Sequence, residues 1–322
     1  MRMLARFAAI AAATMPAAIP FTIAIAQSSP DAPYTVVESG KSYSRLQDAV
    51  DAIGTGTGTI RFASRRFGDC AVQTGGNVTY AAAEPGQAIL DGVTCEEKAA
   101  LVLRGRSARV EGLTFANLRV PDGNGAGIRL EQGNLAVSQA WFRDSEEGIL
   151  TADDKRASLT IDKSTFSRLG RCDRGLSCAH SIYVGDYGSL TVTRSRFEAG
   201  RGGHYVKSRS ARTTVTDSSF DDSAGRDTNY AIDLSVGSTG RITGNTFVQG
   251  RAKENYTTLI SVAPEGKYNS SDGLVIEGND ARIAPGVSVD RSAFVVDWSG
   301  GDRLVIGANK LVGLRRYEAR SN

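Results

Sequence analysis

Histidine and tryptophan occur only twice each in this chain of 322 residues, methionine three times, cysteine four times and proline eight times. With so little imidazole and thiol, and no Cys-x-x-Cys, the sequence lacks the ligand set of a zinc site. Glycine is abundant at 36, yet no Gly-X-Y period accompanies it, which excludes collagen, and 41% hydrophobic residues exclude a disordered chain. An excess of one charge is missing too. The formal net charge is +3, and setting aside Arg2 and Arg6 leaves +1, without the basic surplus that a nucleic-acid binder normally carries.

After residue 26 no stretch approaches the roughly 20 apolar residues of a membrane-spanning helix. Residues 1–26 stand apart: Arg2 and Arg6 precede a long Ala/Ile/Phe run ending in Ala24-Ile25-Ala26, the small-x-small pattern of a signal-peptidase site. Pro16 and Pro20 interrupt the run, which favours cleavage over a retained anchor. The expectation is a protein exported to the periplasm or outside the cell, free of the membrane once this signal peptide is removed. In that compartment Cys70, Cys95, Cys172 and Cys178 are expected to form two disulfides, Cys70 with Cys95 and Cys172 with Cys178, although spacing alone leaves other pairings open.

What the sequence does have is a repeat. Apolar anchors recur at Val110, Val137, Ile161, Val192, Val215, Ile242, Ile276 and Ile306, separated by 27, 24, 31, 23, 27, 34 and 30 residues. Five positions after each anchor stands Phe115, Phe142, Phe166, Phe197, Phe220, Phe247 or Leu311; only Ala281 breaks the file. Three positions after the anchor runs a polar file, Ser164, Ser195, Ser218, Asn245, Asn279 and Asn309, as expected when turns stack and hydrogen-bond along the stack. An earlier short strand in each repeat occupies 127–130, 148–151, 181–184, 205–208, 231–234, 259–262 and 295–298.

Short alternating strands, Gly-rich turns and a minimum period near 23 describe one coil of an all-β, single-stranded right-handed parallel β-helix, a solenoid. Its open end needs a cover. Residues 44–54 supply one, with Ser44 and Gln47 read as a capping box, Leu46, Ala49, Val50 and Ile53 as an apolar face and Gly54 as the stop. The chain thus divides into the signal peptide 1–26, an N-terminal strand and capping helix 27–60, the β-helix 61–313 and a basic tail 314–322 that either closes the far end or hangs off it.

These residues, with Ala88-Ile89-Leu90-Asp91-Gly92 and Val110-Glu111-Gly112-Leu113-Thr114-Phe115, resemble the pectin-lyase-like superfamily of right-handed β-helices over nearly all of the mature chain. The nearest likeness is to exported right-handed β-helix repeat proteins of bacteria. The resemblance implies a protein that binds, cleaves, eliminates or epimerises polysaccharide. A local stretch, Ser177-Cys178-Ala179-His180-Ser181-Ile182-Tyr183-Val184-Gly185-Asp186-Tyr187-Gly188 with Tyr205-Val206-Lys207 one coil later, is similar to the Gly-His-Gly-x-x-x-Gly segment and Arg-Ile-Lys strand of polygalacturonases. That likeness implies an active-site role for His180 and a substrate-binding role for Lys207. The aspartates those enzymes carry at strand starts have no counterpart, since Asp153 and Asp154 follow a strand end, and no Arg precedes Lys207 by two. Pectinesterase signatures are absent.

Aligning the coils on Ile182, Val206, Ile232, Ile260 and Val296 places Tyr183, Lys207, Asp233, Ser261 and Asp297 in one outward file, with Gly185, Arg209 and Ser235 in the next. His180 and His204 occupy the same point of adjacent coils, and the Cys172–Cys178 loop is expected to wall this face. Taken singly, each residue has an ordinary explanation: a solvated cation, a stacked structural histidine pair, a cross-strand ion pair. Together they suggest a site. On a uronate polysaccharide, β-elimination needs carboxylate neutralisation, a base and an acid. The expected roles are Arg209 on the carboxylate, Lys207 as a base made less basic by Arg209, and His204, His180 or Tyr183 as the acid. Asp233, Asp186 and Tyr205 complete the expected substrate-binding set. Hydrolysis would instead use two carboxyl groups, Asp186 and Asp233, and a third possibility is a module that only binds acidic polysaccharide. No cofactor is expected, calcium on Asp153, Asp154 or Asp186 being the minor alternative. The protein is expected to act as a monomer, with no nucleic-acid partner.

Overall fold

The computed structural model describes residues 32–287 and 292–321; the segment read as a signal peptide lies outside the described residues. Among the described residues the strands form one sheet of twelve and two of ten, each built from every third strand, so the chain winds as a three-sided solenoid. Neighbouring coils pair in parallel, and among the described strands the antiparallel pairs are those of Tyr34–Val36 with Lys41–Tyr43 and with Thr57–Phe62.

The two sequence files are two lines of this core. Val110, Val137, Ile161, Val192, Val215, Ile242, Ile276 and Ile306 are direct partners down the twelve-stranded sheet. The phenylalanines from Phe115 to Phe247 stack face to face with centroids 4.7 to 4.9 Å apart. That distance equals the strand spacing, so identical rings at one register position must stack. At Ala281 the stack ends and Phe294, from another face of the coil, fills the space, meeting Phe247 edge-on at 5.7 Å.

The polar file is a ladder. The backbone N–H groups of Ala140, Ser164, Ser195, Ser218, Asn245 and Asn279 each donate to the side-chain oxygen of the file member one coil on, at 2.9 to 3.2 Å. Buried turn amides are satisfied in this way without water.

One helix, Leu46–Ile53, covers the N-terminal end with Leu46, Ala49 and Val50 buried beneath it. Its start differs from the capping-box expectation. Arg45 is the N-cap and makes no side-chain cap bond; the Leu46 N–H donates instead to Asp69 Oδ2 at 2.8 Å. Gln47 is used differently too. Its Oε1 accepts the Val72 N–H at 2.8 Å and its Nε2 donates to the Val72 carbonyl at 3.0 Å, so the side-chain amide pairs with an exposed strand edge. At the other end Arg315–Ala319, within the basic tail, pairs with Ala293–Asp297 as the last strand and so closes the stack rather than hanging off it. Both disulfides join as expected, Cys70 to Cys95 and Cys172 to Cys178.

Candidate functional site

Three short strands of one ten-stranded sheet, Ile182–Val184, Val206–Ser208 and Ile232–Leu234, set out the site. Ile182, Val206 and Ile232 point into the core, and the residues after them, Tyr183, Lys207 and Asp233, form one outward file by direct pairing. Ser261 continues the file, but Asp297 does not. Val295, rather than Val296, is the partner of Ile260, which places Val296 beside Ser261 and Asp297 beside Val262. Phe294, Val295 and Val296 are all buried, so hydrophobic alternation carried no register signal there, and a one-residue slip exchanges the two faces.

Two residues before each inward anchor lies a second file: Glu147, His180, His204 and Tyr230. The three rings stack, His180 on His204 at 4.9 Å and His204 on Tyr230 at 5.1 Å. Each imidazole is fixed by the backbone of the next coil: the His204 N–H donates to His180 Nδ1 at 2.9 Å and the Tyr230 N–H to His204 Nδ1 at 3.1 Å. A neutral imidazole so engaged carries its proton on Nε2. Burial, then the Lys207 charge, holds His180 down to about 3, and burial with the neighbouring cations drives His204 well below the ordinary range. Both rings are neutral at neutral pH and therefore donate rather than accept at Nε2. His204 Nε2 faces Asp233 Oδ2 at 3.6 Å. Gly203 makes the stack possible: at φ 61° it turns left-handed, and a Cβ there would stand 2.1 Å from the Ala179 carbonyl oxygen and 2.6 Å from His180 Nδ1.

The cations of the site share one carboxylate. Lys207 Nζ and Arg209 NH2 reach the two oxygens of Glu265 at 2.5 Å each. Burial would raise Glu265, but the bonds and charges from Lys207 and Arg209 prevail and hold it below the usual carboxylate range. Tyr183 lies beside both cations, its ring centre 5.3 Å from Lys207 Nζ and 5.6 Å from the Arg209 guanidinium. Burial raises the phenol while the two cations pull it back. Beneath them Asp233 is buried, accepts from Ser235 Oγ at 2.6 Å and Ser261 Oγ at 3.1 Å, and is pushed up to about 6 by burial. A cavity of about 370 Å³ opens over this group, lined by Cys178, His180, Tyr183, His204, Lys207 and Arg209 among others.

A coiled, three-sheet chain with a ladder of turns and a cleft on one flank has a counterpart among known families: the family described as right handed beta helix region matches residues 99–297. The chain belongs to the right-handed β-helix family. No curated protein matches its sequence. Two solved structures are similar to this β-helix protein at low identity. The ORF18 protein of Geobacillus virus E2 is 10% identical with a TM-score of 0.40 over 85% of this chain, which spans only 56% of the virus protein. The A-module of the mannuronan C-5 epimerase of Azotobacter vinelandii is 12% identical with a TM-score of 0.36, over 85% of this chain and 93% of the module.

The β-helix brings together His180, His204, Tyr183, Lys207, Arg209 and Asp233; of the other expected residues Tyr205 lies apart, and Asp186 shares a cavity with Arg209 alone of the group. Tyr205 is in the core, 2% exposed; its hydroxyl donates to Asp222 Oδ1 at 2.7 Å and its ring packs edge-on against Phe197 and Phe220. It stands at the turn into the strand, where in-out alternation does not apply, so it cannot meet a ligand in the cleft. Asp186 lines a different cavity, of about 490 Å³, and is paired with Lys155 at 3.0 Å. The aspartates read as calcium candidates do not all stand together. Asp153 Oδ1 accepts the Asp186 N–H and the two line one cavity, whereas Asp154 accepts the N–H groups of Gly133 and Arg156 away from it. The single cluster of metal-type donors among the described residues, Cys172, Cys178 and Glu254, includes two thiols consumed by a disulfide.

The sequence reading omitted two acidic residues. Glu147 is buried, accepts the His180 N–H at 3.3 Å and is raised well above the ordinary range by burial. It lies two residues before Ile149, as His180 does before Ile182, so the same coil alignment would have found it. Glu265 gave no such signal, because it reaches Lys207 and Arg209 from a turn in a later coil.

Proposed function

We propose that this β-helix protein is exported, binds an acidic, uronate-containing polysaccharide in the cleft over Tyr183, Lys207 and Asp233, and acts on it by β-elimination. The observation that carries the reading is the convergence of Lys207 and Arg209 on a single carboxylate. Two cations, one on a strand and one just past its end, that already hold a carboxylate form a recognition site for the carboxylate of a uronate, with charge-assisted bonds of the strongest kind. Arg209 would neutralise negative charge as it builds up on that carboxylate during proton abstraction from the adjacent carbon. Tyr183 is the proposed acid, and His180, neutral with its proton on Nε2, a hydrogen-bond donor. Lys207 is the proposed base in the step itself, after Glu265 has left, its own proton has gone to solvent and Arg209 alone holds the uronate carboxylate. The two disulfides, and the fact that no helix among the described residues is long and apolar enough to cross a membrane, are compatible with export.

A binding-only role has one observation in its favour. Lys207 is ion-paired to Glu265 and lies 3.8 Å from Asp233, whereas the base role assumed Arg209 as its dominant neighbour. Hydrolysis has none, because Asp186 and Asp233 do not flank one cavity. Incubation of the purified protein with polymers of galacturonate, mannuronate, guluronate and glucuronate separates the readings. New ultraviolet absorbance reports an unsaturated end, reducing ends without it report hydrolysis, and retention without either leaves binding alone. Lys207→Ala is expected to weaken polyuronate retention at least about tenfold, the scale of losing one charge-assisted contact. Unchanged retention would place the ligand elsewhere.

A further inference from the structure

The cleft is divided in two. On one side lies the cavity with His180, Tyr183 and His204; on the other lies the cavity with Asp153, Lys155, Asp186 and Asn269; Arg209 lines both. Glu265 lines the second cavity and bridges Lys207, which lines the first, to Arg209, which lines both. The turn that carries it is tied down independently. The Glu265 N–H donates to the Ser235 carbonyl at 2.9 Å, the Tyr268 and Asn269 N–H groups to the Val236 carbonyl at 3.0 and 2.9 Å, and Asn269 Nδ2 to the Arg209 carbonyl at 3.1 Å. The Glu265 carboxylate can therefore swing out by side-chain rotation alone, with the turn backbone in place.

We propose that Glu265 is an internal stand-in for the ligand carboxylate: it fills the anion site of Lys207 and Arg209, and a uronate binds by displacing it, which joins the two cavities into one cleft. This rests on the reading that the cleft takes an acidic polysaccharide. The physical logic is that of a selectivity filter. Lys207 is 9% exposed, and in that setting the loss of its closest counter-charge, with only Asp233 left at 3.8 Å, is costly, so Glu265 stabilises the empty site. A neutral sugar that pushed Glu265 aside would break the Arg209 ion pair and leave Lys207 with Asp233 alone, at 3.8 Å. Only a ligand bringing its own anion restores the pairing, so discrimination comes from a penalty on the wrong ligand as much as from attraction to the right one. The cost to the correct ligand is a lower affinity, since it competes with a tethered carboxylate at high effective concentration.

The test compares the full chain with Glu265→Gln, which keeps the size and removes the charge. Two probes are used: trisaccharides of galacturonate, mannuronate, guluronate and glucuronate followed by calorimetry, and inorganic sulfate followed by thermal melting. Glu265→Gln is expected to bind at least one uronate about tenfold more tightly than the parent, the effect of removing one competing charged contact. It should also gain a sulfate-dependent rise in Tm that the parent lacks. If its responses to both probes match the parent's, or its uronate binding is weaker, the proposal is overturned. Stabilisation of Glu265→Gln by sulfate with no uronate bound by either protein would support the displaceable anion site and overturn the polysaccharide reading. Should Glu265→Gln fold poorly, Glu265→Asp, too short to span both cations, enters the same comparison with the same expected direction.

Discussion

At the residue scale the two histidines changed meaning between sequence and structure. Their equivalent positions in adjacent coils were legible, because the period of the chain is legible; their protonation was not. That depends on which backbone N–H meets Nδ1 and on how completely the rings are enclosed, and both arise only when coils stack. The enclosure has a consequence for pH. His180 titrates near 6.5 in the unfolded chain and near 3 when folded, so its contribution to stability is complete above pH 6.5 and is lost as pH falls toward 3. Asp233 works in the opposite direction: raised from 3.8 to about 6, it favours the folded state at low pH, and that contribution is lost as pH rises through 6. Melting temperatures across this range are expected to fall on the acid side less steeply in His180→Gln than in the parent, because one group that must take up a proton on unfolding is gone. Parallel curves for the two proteins would show that His180 is not enclosed as described.

At the scale of the element, each strand is too short to be stable alone, and it is the lines running across strands that hold the coil. The phenylalanine stack is the strongest of these. Phe197 has a parallel ring on each side, at 4.9 Å from Phe166 and 4.7 Å from Phe220, and also touches Tyr205, whose hydroxyl is tied to Asp222. Phe197→Ala is expected to cost about 3–5 kcal/mol in urea unfolding, the usual range for a buried ring. A loss below about 1 kcal/mol would mean the stack is not a tight packing unit. The capping helix shows the limit of local reading. Its apolar face was plain in the 44–54 pattern, but Ser44 and Gln47 fitted a capping box by spacing alone. Gln47 was instead recruited by the unpaired edge at Val72, which has no trace in the local sequence.

At the scale of the whole molecule the two ends differ. The helix buries the N-terminal end, whereas the last coil leaves Val305, Val312 and Tyr317 exposed. In a solenoid each coil is stabilised by its neighbours, so a coil with one neighbour opens more readily than one with two. Amide exchange is therefore expected to be fastest in strands Val305–Ile306, Lys310–Val312 and Arg315–Ala319 and slowest around Phe166 to Phe220; equal protection throughout would point to a cover at the C-terminal end. The sequence by itself determined the repeat, the inward files, the polar ladder and the disulfide-bearing segments, because each depends on residue type at a fixed offset and a stack of coils copies that offset into space. Tertiary structure alone decided that Tyr205 turns inward, that Asp297 leaves the outward file, and that Glu265 holds Lys207 and Arg209. Those outcomes depend on how a turn folds back over a strand and on strand register where both faces are apolar, and no periodicity encodes either.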